Sequence, residues 1–103
     1  MSGSKVLSLL GLARKAGFVK SGEFSSESLV KSGKAYLVLL ASDASDNTKK
    51  KFTDMCRYYE VPVRVLDCTK EELGKCIGQE MRTSAAVSDE GLAKAILKRI
   101  QTD

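Results

Sequence analysis

Residues Ala35 to Ala41 read AYLVLLA, seven apolar residues without a polar interruption, preceded by a glycine and followed by an acidic turn. A run of that length, rich in strand formers, is the pattern of a β-strand buried on both faces, because a strand with one wet face would alternate. Such a strand needs helices on either side, so the flanking sequence has to supply them.

It does. Val6, Leu9, Leu10 and Ala13 fall on one side of a helix that stops at Gly17, a residue suited to the left-handed C-terminal position. Phe18 to Lys20 make a short extended piece, and SGEFSSESLVKSGKA then starts a second helix that can cap at Ser21 or Gly22 and ends at Gly33. Beyond the central strand, SDASDN offers several N-caps, with Asp43 and Asp46 expected to cap the helix that follows. Phe52, Met55, Cys56 and Tyr59 recur at helical spacing and predict an amphipathic helix from Asp46 to Glu60. Pro62 ends it and opens a strand from Val63 to Leu66. Thr69 and Glu72 form a capping box ahead of a short helix that contains Leu73 and Ile77 and closes at Gly78. A loop from Gln79 to Thr83 leads to a small-residue strand, Ser84 to Val87. Ser88 or Asp89 then caps a last helix whose buried face carries Leu92, Ala93, Ile96, Leu97 and Ile100. The alternation predicts a single α/β domain over residues 1–103, a three-layer α/β/α sandwich around a small mixed sheet of about four strands.

Chemistry is constrained by what the chain lacks. It contains no histidine, so there is no imidazole general base, no Ser-His or Cys-His pair, and there is no GxxxxGKS/T or GxGxxG phosphate loop. Cys56, Cys68 and Cys76 are odd in number and fit neither a CxxC pair nor a zinc ribbon, so reduced, buried thiols and no metal site are expected. Asp43, at the carboxyl end of the central strand, is the best enzyme-like candidate, yet Phe18 to Lys20 lack the further acidic residues of a phospho-accepting receiver. A non-catalytic protein without a cofactor is expected. The apolar run Val6 to Ala13 spans only eight residues with no small-residue cleavage site behind it, which predicts neither a signal peptide nor a membrane span and a cytoplasmic location.

The charge is unevenly placed. Residues 1–34 hold six basic side chains against two acidic ones, whereas residues 35–103 hold eleven of each, so the net +4 lies wholly in the first third. An excess of that sign favours an anionic partner. At the start of the second helix, free backbone N–H groups attract anions, and Ser25, Ser26 and Ser28 can donate or accept hydrogen bonds. Glu23 and Glu27 can accept from amino groups on base edges, and Lys20, Lys31 and Lys34 lie nearby for phosphates. Regular A-form RNA has a major groove too deep and narrow for this, so the partner would be a distorted duplex, bulge or kink. The same residues also read as capping serines and solvated glutamates, and composition does not choose between the two. Three consecutive lysines, Lys49 to Lys51, cannot all face one ligand and read as a solvated helix face.

SGEFSSESLVKSGKAYLVLLASDASDNTKKKF, then YYEVPV, TKEELGKCIG and the small-residue strand followed by DEG, resemble the ribosomal protein L-seven-Ae/L-thirty-e family, in particular its short bacterial YlxQ-like branch. The resemblance covers about residues 5–100 with the elements in the same order. It implies an α/β/α sandwich that binds kink-turn RNA, a sharply bent duplex with tandem sheared G·A pairs next to a bulge. In that family the strand-to-helix-two junction enters the widened groove, and its counterpart here runs through Gly22, Glu23, Phe24, Ser25, Ser26, Glu27 and Ser28. The family's loop before the last strand packs on an extruded bulge nucleotide, and its counterpart is Glu80, Met81, Arg82 and Thr83. Archaeal and eukaryotic members carry an Asn-Glu pair and a following lysine where Phe24, Ser25 and Ser28 stand here. The resemblance implies a ribosome-associated or other structured-RNA partner; no membrane partner and a monomer when free are expected as well. The alternative is a protein-interaction module that has lost specific RNA reading, with an exposed apolar patch that includes Phe24 and Met81.

Overall fold

The structure is a computed structural model that describes residues 2–102. In chain order the elements are α1 (Ser2–Lys15), β1 (Val19–Ser21), α2 (Glu23–Lys31), β2 (Leu37–Leu40), α3 (Asp46–Tyr59), β3 (Val63–Val65), α4 (Lys70–Cys76), β4 (Ser84–Val87) and α5 (Glu90–Thr102). The apolar run becomes β2, an interior strand of a mixed four-stranded sheet in the order β1-β4-β2-β3. It pairs in parallel with β3, Val38 opposite Val63, and antiparallel with β4, Leu37 opposite Val87 and Leu40 opposite Ser84. β1 is the other edge, antiparallel to β4 with Val19 opposite Val87.

Strand alternation divides the core in two. Leu37 and Leu39 join Ala85 and Val87 under Val6 and Leu10 of α1, Leu73 of α4, and Ala93 and Ile96 of α5. Val38 and Leu40 point the other way with Ala86, against Val30 of α2 and Phe52 and Cys56 of α3. All four β2 residues are buried, so the strand is covered on both faces as its sequence requires. Helices α1, α4 and α5 form one outer layer and α2 and α3 the other. This is the α/β/α sandwich with a mixed sheet.

Local capping sets most helix starts. Thr69 Oγ1 accepts from Glu72 N–H at 3.1 Å while Glu72 Oε1 accepts from Thr69 N–H at 2.8 Å, a complete capping box on α4. Asp89 Oδ2 accepts from Leu92 N–H at 2.9 Å at the start of α5. At α3 the expectation needs correction. Ser45 is the cap, accepting from Thr48 N–H at 3.1 Å, and Asp46 is the first helical residue. Asp43 instead accepts from Lys70 N–H at 2.8 Å, which fastens the loop after β2 to the start of α4. Helix α2 ends at Lys31, before Gly33, and α3 ends at Tyr59, with Glu60 left-handed at φ 59°. Among the described residues no helix is long and apolar enough to cross a membrane.

Candidate nucleic-acid interface

The junction between β1 and α2 is built on a glycine. Gly22 N–H donates to Ser84 O at 3.0 Å, extending the β1–β4 ladder by one bond. Its φ of 92° and ψ of 157° then turn the chain into α2, a combination that practically only glycine adopts. Gly22 is the N-cap, and no side chain caps the helix. The serines that read as caps in the sequence are displaced from that role because the backbone of Gly22 makes the turn.

Arg82 joins this junction to the loop before β4. Its Nε donates to Ser21 Oγ at 3.1 Å, Nη2 to Gln79 Oε1 at 3.0 Å and Nη1 to Met81 O at 2.7 Å. The Arg82 side chain also passes about 4 Å from where a Cβ on Gly22 would stand. The loop is held from beneath by Arg82 N–H to Lys70 O at 3.0 Å and by Ala41 N–H to Thr83 O at 3.0 Å. It rests directly on α4 at Gly74, where an added Cβ would come within 2.8 Å of Glu80 O and 2.9 Å of Met81 Cα. Glu80 and Met81 face solvent, whereas Arg82 and Thr83 are half-buried. The structure thus brings together the two segments named from the sequence, and it assigns Arg82 to tying them.

Helix α2 carries three stripes, each with a different neighbour. Ser26 and Val30, one turn apart, face inward and are buried. Ser26 is therefore corrected as a ligand-facing residue: its Oγ is shielded from solvent and, like that of Ser84, has no hydrogen-bond partner. Glu23, Glu27 and Lys31 form the second stripe, which meets Lys51 of α3. Lys51 Nζ lies 3.2 Å from Glu23 Oε1 and 2.7 Å from Glu27 Oε1, and Lys31 Nζ lies 2.7 Å from Glu27 Oε2. Hydrogen bonds from Lys31 and then Lys51 hold the Glu27 carboxyl down to about 2, and those from Glu27 and then Glu23 raise the Lys51 ammonium. These carboxylates and Lys31 are engaged with protein partners, so they are not the open acceptors and donor that the sequence suggested.

The third stripe opens outward. Phe24, Ser25, Ser28, Leu29 and Ser32 line a groove of about 380 Å³ together with Lys20 from β1 and Lys34 from the turn after α2. Phe24 is 81% exposed. No hydrogen bond or ion pair occupies the side-chain ammonium of Lys20 or Lys34 among the described residues. Sequence reasoning missed Lys51, Leu29, Ser32 and Gln79. Leu29 and Ser32 could have been found from helical phase, since they lie one turn from Ser25 and Ser28. The lysine triplet fans out, Lys49 Nζ donating to Ser42 O at 2.7 Å and Lys50 pairing with Asp54 at 3.1 Å, so Lys51 alone reaches α2. Cys56 and Cys68 are buried as expected, whereas Cys76 is only half-buried, and desolvation pushes all three thiols up to about 11, which leaves them protonated near neutral pH.

Comparison with known proteins agrees with this architecture. The family model described as "Ribosomal protein L7Ae/L30e/S12e/Gadd45 family" matches residues 4–97. An RNA-binding protein YlxQ from Bacillus subtilis (strain 168) is 44% identical over 97 residues, covering 94% of this chain and 96% of the relative. An RNA-binding protein YlxQ from Enterococcus faecium is 38% identical over 97 residues, covering 94% and 92%. A solved structure of a protein of unknown function from Bacillus halodurans C superposes with a TM-score of 0.89 at 39% identity, over 94% of this chain and 97% of that one. The Giardia lamblia 15.5kD RNA binding protein shares the fold, with a TM-score of 0.81 at 21% identity over 98% of this chain and 86% of that one. With a family match across nearly its full length and relatives of this identity, the chain belongs to the ribosomal protein L7Ae/L30e/S12e/Gadd45 family.

Proposed function

We propose that this protein binds structured RNA without catalysing a reaction on it, and that the β1–α2 junction and the loop before β4 form the face it presents. The observation that carries the reading is the Arg82 tie, which makes one edge of two segments distant in sequence. Phe24, Ser28 and Met81 stand open on these segments, and Lys20 and Lys34 are unpaired beside them. Similarity to the two RNA-binding proteins YlxQ supports the choice of partner. In its finer form the RNA is a kink-turn of ribosomal or regulatory origin, read by a free monomer in the cytoplasm. Ser25 and Ser28 face its bent groove, and Glu80 and Met81 face its bulge.

A titration with a kink-turn RNA and a control whose G·A pairs are made Watson–Crick tests this. Binding is expected to weaken as salt rises, with a log–log slope of roughly −0.7 to −0.9 per phosphate contacted, and to be weaker for the control. Equal affinity for both RNAs overturns kink-turn specificity, and no binding to either at low salt overturns RNA binding.

The exposure of Phe24 at 81% and of Met81 at 50% favours a second reading, a protein-interaction module. Ser28→Lys separates the two, because an added cation in the groove tightens RNA binding under the first and leaves it little changed under the second.

A further inference from the structure

We infer that Phe24 is a stacking platform for an unpaired base of the bound RNA, with Lys20 and Lys34 holding the flanking phosphates. The inference rests on the RNA-binding reading and specifies how this chain holds its ligand. Phe24 stands in the first turn of α2 with 81% of its surface open. Its ring borders the groove of about 380 Å³ that Lys20, Ser25, Ser28 and Lys34 also line.

The charge around that groove is one-sided. Both α2 carboxylates are already paired on the opposite flank, Glu23 with Lys51 and Glu27 with Lys51 and Lys31. The ammonium groups of Lys20 and Lys34 have no partner among the described residues. An open aromatic face in one groove with two uncompensated cations and the hydroxyls of Ser25 and Ser28 is the combination that holds single-stranded nucleic acid: a base stacks on the ring while the cations follow the backbone. Two unpaired lysines favour a polyanion over an apolar peptide segment. A phenyl ring has no hydrogen-bonding group, so this contact accepts any of the four bases and adds affinity without sequence preference.

A cycle that removes the ring and the base separately tests the contact. The affinities of the wild-type protein and Phe24→Ala are measured for one kink-turn RNA in two forms, one intact and one with its unpaired nucleotides made abasic, which keeps every phosphate. On the intact RNA, Phe24→Ala is expected to lose about 5- to 150-fold, the effect of one stacked base, and on the abasic RNA to lose nothing further. Phe24→Leu, which keeps apolar bulk without a ring face, should lose affinity as alanine does. Phe24→Trp should keep it, with indole emission quenched by the intact RNA. Wild-type affinity in Phe24→Ala, or equal losses on both RNAs, overturns the stacking role and leaves RNA binding standing. Failure of the wild-type protein to bind either RNA overturns both.

Discussion

Lys51 decides what the two carboxylates at the start of α2 can do. By pairing with Glu23 and Glu27 from the neighbouring helix, it offsets, together with Lys31, their negative charge at an edge proposed to meet phosphates. Lys51→Met is expected to weaken RNA binding several-fold, and adding Glu23→Gln and Glu27→Gln is expected to restore it. If the lysine touched phosphate itself, the added changes would restore nothing and the salt slope would become shallower. Glu27 also has a titration of its own, since its carboxyl is held at about 2 instead of 4.5. A depressed carboxyl contributes stability above its unfolded value and loses that contribution as pH falls through the folded one. Unfolding measured downward from pH 5 should therefore lose part of its pH dependence in Glu27→Gln, in the window between the ordinary value and about 2. The Lys51 contact was not legible in the sequence, because a pairing between helices leaves no mark in the spacing of either. Ser26 was legible in principle, being one turn from Val30 on the stripe that faces the sheet.

The elements most open to reading from sequence are those whose ends are fixed by their own residues. AYLVLLA had to become a strand covered on both sides, and Thr69 with Glu72 had to start a helix, because both signals are local. The tie between β1 and the loop before β4 is the opposite case, since Arg82 and Ser21 are 61 residues apart and meet only once β1 has paired with β4. Two glycines set the geometry of that edge. Gly22→Ala forces a side chain into a backbone region reserved for glycine and should cost about 1–3 kcal/mol in chemical denaturation. Gly74→Ala gains about 1 kcal/mol of helix propensity, but its methyl group would lie 2.8 Å from Glu80 O, and overpacking of backbone costs about 1–3 kcal/mol. The expected net result is a less stable protein whose Met81 is displaced and whose RNA binding is weakened.

At the scale of the molecule, the sheet brings to one end the features that the chain scatters. β2 and β3 run parallel toward the loop that carries Ser42 and Asp43, and β4 starts at that end with Ser84 opposite Leu40. The start of α2 is hydrogen-bonded to Ser84, and that of α4 to Asp43. Loops at the carboxyl ends of parallel strands are where α/β sheets present ligand-binding groups. The sandwich behind this end is a scaffold in which Cys56 and Cys68 are buried with their thiols held up to about 11, so alkylation at pH 8 should label these two only after unfolding. On this reading the β1–α2 junction and the loop before β4 act as a single RNA-facing edge. Amide NMR shifts recorded while a kink-turn RNA is added to the uniformly labelled protein test it most directly. The largest changes are expected to cluster at Gly22 to Ser28 and Glu80 to Thr83, with the exposed face of α5 unmoved. Changes centred on α1 and α5, with both segments silent, would contradict it.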